Sequence, residues 1–141
     1  MDIKIMASAA VVSQNKLLVL KRSAEEKFLS GYWTIVGGKY EDGDKSIEDA
    51  VKREVMEETG LKVDIIKPIN VEEFTREDKP GVIAVEITYL CRSESNGEIK
   101  LSSHEHDSYA WISESGLTEL NPVTELTKQK IKKIFSSLKT N

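Results

Sequence analysis

The order of signals along the chain predicts an α+β fold, an α/β/α sandwich with a mixed central sheet flanked by helices. Three observations carry that prediction. Two strand-like runs open the chain, a capped helix follows a glycine-rich stretch, and a long strand pair precedes a closing helix with an apolar stripe. At 141 residues, 39% hydrophobic and 31% charged, the composition suits one globular domain over residues 1–141. The net charge of −4 argues against a surface built for nucleic-acid polymers, which would be basic. The lone cysteine, Cys91, rules out an internal disulfide framework and fits a reducing, cytoplasmic setting.

Ile3–Ser13 and Lys16–Arg22 read as strands joined at Gln14-Asn15, a hairpin-type turn. The apolar run Ile5–Val12 is too short for a membrane span, so no membrane partner is expected. Leu17-Leu18-Val19-Leu20 is continuously apolar, as a strand covered on both faces would be. Residues 23–31 form a polar, glycine-terminated loop that carries Phe28, and Tyr32–Val36 is a short aromatic and β-branched strand. Gly37-Gly38 and Asp42-Gly43 then read as turn signals.

Ser46, with Asp49 three residues on, approximates a capping box. The helix runs through Ile47, Ala50, Val51, Glu54, Val55 and Glu58, and Gly60 suits the left-handed C′ position. Leu61–Phe74 and Val82–Cys91 form a long strand pair joined by a turn over 75–81; Glu86 lies on its more polar face and receives no chemical role. Cys91 reads as a small buried hydrophobe at a strand end. Residues 93–103 are polar with Asn96-Gly97, a loop or edge hairpin, and the strand after them ends in Trp111-Ile112. Asn121 as N-cap and Pro122 at the first helical position begin the last helix. Ile131, Ile134, Phe135 and Leu138 form its apolar stripe, and Lys128, Lys130, Lys132 and Lys133 mostly face solvent.

The first helix is unusual in where its acids fall. At about 100° per residue, Glu57 and Glu58 lie within roughly 60° of Glu54, in the sector of Ile47, Ala50 and Val51. The core-facing stripe thus runs into a triple-carboxylate stripe. Like charges at these spacings repel, and acids near a helix C-terminus oppose its dipole. A compensating cation removes both penalties, and oxygen-only ligands favour a hard divalent ion, Mg²⁺ or Mn²⁺. An EF-hand starting at Asp42 fails, because its required glycine falls on Ile47 and its terminal glutamate on Arg53.

Arg53-Glu54-Val55-Met56-Glu57-Glu58-Thr59-Gly60-Leu61 resembles the second half of the Nudix box, R-E-U-x-E-E-x-G-U with U aliphatic. Gly38 and the five residues after it resemble the first half. Asp44 stands where the signature has glutamate, and eight residues rather than seven separate it from Arg53, most simply through insertion of Lys45. The resemblance implies the Nudix fold over nearly the whole chain. It also implies a metal-dependent pyrophosphohydrolase that cleaves a nucleoside diphosphate linked to another moiety.

Carried over by position, Glu54, Glu57 and Glu58 would be metal ligands with the Gly38 carbonyl, and Arg53 would orient Glu57 by an i,i+4 pair. The general base is Glu54 or Glu105; Glu105 resembles the extra carboxylate that many members place before a final strand ending in Trp and an aliphatic residue. His104 and His106 flank it without a third zinc-type ligand nearby. Arg22 resembles a basic residue that contacts substrate phosphate, the alternative being a solvated strand end. Trp33 would stack on a base or serve as a core aromatic, and Phe28 joins them as a substrate-binding candidate. Selectivity is expected in loops 23–31, 75–81 and 93–107. The partner is a small nucleotide, a triphosphate, ADP-ribose or a relative of these. A homodimer is left open, and the rival function is a catalytically silent domain that senses a nucleotide.

Overall fold

The computed structural model describes residues 2–93, 98–102 and 104–139. Its elements are β1 (Asp2–Ser13), β2 (Lys16–Arg22), β3 (Trp33–Thr34), β4 (Val36–Lys39), α1 (Ile47–Thr59), β5 (Val63–Thr75), β6 (Val82–Ser93), β7 (His106–Ile112), a 3₁₀ turn (Glu114–Glu119) and α2 (Glu125–Leu138). The Asn96-Gly97 turn lies outside the described residues. One mixed seven-stranded sheet results. Its spine runs β3-β2-β1-β6-β5, β1 and β6 are parallel, β4 pairs with β1, and β7 pairs with β2.

The sheet is sandwiched as the sequence predicts. Ala50, Val51 and Val55 of α1 pack with Ala7, Ala9, Leu18 and Leu20 on one face. Ile131, Ile134 and Phe135 of α2 pack with Ala10, Leu17, Val19 and Leu90 on the other. Leu17 through Leu20 alternate between the two cores and are all fully buried, which explains their unbroken apolar run. Each such side chain contributes about 1.5–3 kcal/mol relative to exposure. Gln14 and Asn15 both take positive φ (52° and 62°), the primed-turn geometry that suits the right-handed twist of a tight hairpin. Cys91 is buried, and burial pushes its thiol up to about 12. Among the described residues, no helix is long and apolar enough to cross a membrane.

The structure departs from the sequence reading in four places. Gly37-Gly38 lie within β4, paired with Ser8 and Ala7, rather than in a turn. Their missing Cβ atoms serve close approach: at Gly37 a Cβ would stand 2.9 Å from Ser8 Cβ and 3.0 Å from Ala7 O. The Tyr32–Val36 run is split, because Trp33-Thr34 pair with β2 while Val36 onward pairs with β1. The last helix starts at Glu125 with Thr124 as N-cap, its hydroxyl accepting from the Thr127 N–H; Asn121-Pro122 form a cis bond upstream. Lys130 is 6% exposed rather than solvent-facing, because it reaches back to Glu86.

Candidate active site

The site begins with how α1 is held. Ser46 Oγ accepts from the Asp49 N–H at 3.0 Å, and Gly60, at φ 74°, lets its N–H return to Met56 O at 2.9 Å. Between these caps the apolar stripe docks on the sheet and carries Glu54 and Glu58 inward with it; they are 9% and 2% exposed. Glu57 stays on the exposed flank of the helix. Gly38 is what admits Glu54. A Cβ there would lie 2.4 Å from the Glu54 carboxyl carbon, so the carboxylate rests directly on bare backbone.

Arg53 gathers the acids. Its Nη1 donates to Glu54 Oε1 at 3.0 Å and to Glu57 Oε2 at 3.0 Å, and its Nη2 donates to Lys39 O at 3.0 Å. Asp44 grips the same guanidinium as a fork, Nε to Oδ1 at 2.8 Å and Nη2 to Oδ2 at 3.0 Å. That hydrogen bonding holds the Asp44 carboxyl below its usual range and raises Arg53 further. The shorter side chain and the extra loop residue therefore deliver Asp44 to Arg53, from which it fixes the acids indirectly.

Opposite α1, the segment leading into β7 closes the site. Glu105 and His106 are anchored by their backbone N–H groups on Ser102 O, at 3.0 and 2.9 Å, and Ser23 N–H donates to Glu105 O at 2.8 Å. Among the described residues, ligand atoms of Glu58, Glu105 and His106 come within 4.8 Å of one another. His106 Nε2 lies 3.7 Å from Glu58 Oε1. That spacing suits an ion pair, yet burial opposes charge on both. Burial, then the Glu54 and Glu105 carboxylates, push Glu58 up to about 10, while burial and the Arg22 charge push His106 down to about 4. Near neutral pH the contact joins a neutral carboxyl and a neutral imidazole. Glu105 is also raised, by burial first and by Glu54 second.

This electrostatic state tests whether a divalent cation fits, and it does. Glu58 Oε2 and His106 Nδ1 are buried without partners, three carboxylates converge, and a nearby positive charge favours the ionised form of Glu58 that burial opposes. The group opens into a cleft of about 140 Å³ whose lining includes Arg22, Gly37, Gly38, Glu58, Glu105 and His106.

A family model for the NUDIX domain matches residues 4–134. The chain belongs to the Nudix family. It is 30% identical over 120 residues to nucleoside triphosphatase NudI of Escherichia coli O17:K52:H18, covering 78% of this chain and 83% of that protein. Among solved structures it resembles a MutT NUDIX hydrolase from Burkholderia pseudomallei, with TM-score 0.78 and 25% identity over 95% of this chain and 99% of that one. It also resembles an ADP-ribose pyrophosphatase from Streptococcus suis 89-1591, with TM-score 0.74 and 25% identity over 98% and 93%. As a Nudix protein it is a hydrolase of acid anhydrides, a pyrophosphatase.

Within this Nudix chain the structure sorts the candidates by place. Glu54, Glu58, Gly38, Glu105 and Arg22 converge, and Arg53 stands behind them. Glu57 is beside Arg53 but outside the Glu58–Glu105–His106 grouping. Arg22 Nε donates to Phe28 O at 2.8 Å and its Nη2 lies 3.6 Å from Glu26, which sets the guanidinium at the cleft. Phe28 lies outside the lining of this cleft, with Arg76 stacked 4.1 Å from its ring centroid. Trp33 packs on the α2 core. Three residues that sequence reasoning left without a role do reach or support the cleft: His106, Glu86 and Lys130. For His106 strand alternation gives no signal: it would share a face with Ala110 and Ile112 of the α2 core, and a register shift where it pairs with Arg22 precedes its contact with Glu58 of α1.

Proposed function

We propose that this chain is a metal-dependent nucleotide pyrophosphohydrolase whose centre is Glu54, Glu57, Glu58 and the Gly38 carbonyl, completed by Glu105. The observation that carries the reading is a buried Glu58, one helical turn from Glu54, that meets Glu105 and His106 in a cleft also lined by Arg22. Mg²⁺ or Mn²⁺, when bound, supplies charge neutralisation at the phosphates and acidifies the attacking water. Arg22 binds a phosphate oxygen of the substrate. Arg53 and Asp44 hold Glu54 and Glu57 in one arrangement, so the acids need no reorganisation on binding.

Glu105 takes the proton of the attacking water. Its carboxyl is raised toward neutrality and it stands on the cleft's open side, whereas Glu54 is pinned between Arg53 and Gly38. The Asp44 swap and the inserted loop residue are what would favour a silent, sensing domain; the fork of Asp44 onto Arg53 gives it a supporting role among the acids and favours the enzyme. The relatives' activities point to a nucleoside triphosphate, with ADP-ribose as the rival. The buried free Cys91 suits a reducing cytoplasm.

The test is hydrolysis across a nucleotide panel with Mg²⁺ and with EDTA, beside Glu57→Gln and Glu58→Gln proteins. Metal-dependent turnover lost by at least about a hundredfold in both variants is the expected result. Wild-type-like turnover in either variant would sink that residue's assignment, and turnover indifferent to EDTA would sink the metal.

A further inference from the structure

The cleft has a second end that the hydrolytic chemistry leaves unused. Past Gly37 it is lined by Met6, Ser8, Thr34, Ile35 and Glu86. Alternation along β1 and β6 puts Met6, Ser8 and Glu86 on the face that carries α2, since Ala7, Ala9 and Tyr89 belong to the α1 core while Ala10 and Leu90 belong to the other. Gly37 and Gly38 line the cleft between this end and the Glu58–Glu105–His106 group.

A polar lattice stands at this end. Ser8 Oγ and Thr88 Oγ1 share a buried hydrogen bond of 2.7 Å. Asn70 Nδ2 donates to Glu72 Oε1 at 2.8 Å, and Glu72 is directly opposite Glu86 across the β5–β6 ladder. Lys130 Nζ, reaching in from α2, donates to Glu86 Oε1, and its side chain is only 8% exposed.

Stability alone is a poor account of this arrangement, because burying a lysine and a carboxylate costs desolvation that their attraction barely offsets. The lattice is also short of donors. Lys130 is given to Glu86, Asn70 serves one oxygen of Glu72, and Glu72 Oε2 is buried without a partner. Glu86 is the carboxylate that reaches the cleft. At about 140 Å³ the cleft is well below the ~300–1,000 Å³ of pockets that enclose whole ligands, so it receives one part of a substrate.

We infer that Glu86, positioned by Lys130, is a specificity residue that reads hydrogen-bond donors on the nucleoside part of the substrate; this rests on the nucleotide reading above. An ionised carboxylate only accepts. It favours a group with N–H or O–H donors and rejects one presenting phosphate or carbonyl oxygens. A base amino group and a ribose hydroxyl share that chemistry. No proton or bond changes hands at Glu86.

The test measures binding of GMP, IMP, dGMP, CMP and UMP to the full chain by calorimetry, beside hydrolysis of the matching triphosphates. GMP carries an amino donor that IMP lacks; CMP carries one where UMP has a carbonyl oxygen, the UMP donor lying instead at N3; GMP and dGMP differ by a hydroxyl. The wild type should favour the donor-bearing member of at least one pair by about tenfold or more, the scale of a hydrogen bond to a charged group. Glu86→Gln should erase that ratio, acting on KM more than kcat. Gln keeps an acceptor for Lys130, and a thermal melt checks the fold. Glu86→Asp, which keeps the charge but withdraws it from the cleft, should shrink the same ratio. A ratio lost in the amino pairs assigns the base, and one lost against dGMP assigns the sugar. Equal affinities across every pair in the wild type, or ratios untouched in both folded variants, would overturn the inference. A Glu86-dependent binding ratio without turnover by the wild type would overturn the hydrolase reading and leave this one standing.

Discussion

Glu58 and His106 titrate against each other, and the signs can be worked out. Glu58 rises from 4.5 to about 10 on folding, so its contribution is full below pH 4.5 and is lost as pH climbs toward 10. His106 falls from 6.5 to about 4, so its contribution is full above pH 6.5 and is lost as pH drops toward 4. Between about pH 4.5 and 6.5 these two slopes oppose each other; above 6.5 His106 no longer offsets Glu58, whose slope is at most about 1.4 kcal/mol per pH unit. Thermal melts in EDTA should therefore fall between pH 7 and 9 for the wild type and flatten in Glu58→Gln; parallel alkaline limbs would contradict the assignment. Asp44 offers a second single-residue test. Removing its charge as Asp44→Asn frees the guanidinium that aligns Glu54 and Glu57, and an outer partner of this kind typically costs about 10–100-fold in activity. A steady-state assay showing no loss would return Asp44 to a bystander. The sequence placed Arg53, Glu54 and Glu58 because motif and periodicity coincide there. It could not place Asp44, since loop conformation decides whether a shortened side chain plus an insertion still reaches its partner.

At the level of elements, the two glycines of β4 separate site from scaffold. Alanine at Gly38 meets the far end of the Glu54 side chain rather than backbone, so the carboxylate is displaced while the strand stays. Alanine at Gly37 meets Ser8 and Ala7 O, and β4 must shift off β1. Gly37→Ala should lower stability in denaturant melts by about 1–3 kcal/mol, the range for overpacking. Gly38→Ala should leave the melt within about 1 kcal/mol and lose metal affinity instead. The reverse pattern would mean the roles were exchanged. Sequence marked both as punctuation because the dipeptide Gly-Gly signals a turn equally well; only the pairing partner reveals close approach. Lys130 was misplaced for a related reason. It precedes Ile134 by four residues, roughly 40° away on the helix, so the stripe argued for the core border while its charge argued for solvent. The deciding fact was Glu86, 44 residues distant in the chain.

For the molecule as a whole, a bound cation and the fold are thermodynamically linked. At a hundred times its dissociation constant a native-state ligand adds about 2.7 kcal/mol, worth roughly 8–10 °C in a domain of this size. Mg²⁺ should raise Tm more at pH 8 than at pH 6, because less proton must leave Glu58 at the higher pH, and Glu58→Gln should lose most of the shift; differential scanning fluorimetry reads both. The architecture was legible because each strand of the spine advertises its faces, above all β2. That strand is a plank shared by both cores, with Leu18 and Leu20 given to one and Leu17 and Val19 to the other. Neither half of the sandwich can loosen without uncovering it. Its amide protons should be among the last in the molecule to exchange with deuterium, released only when the entire chain opens at once.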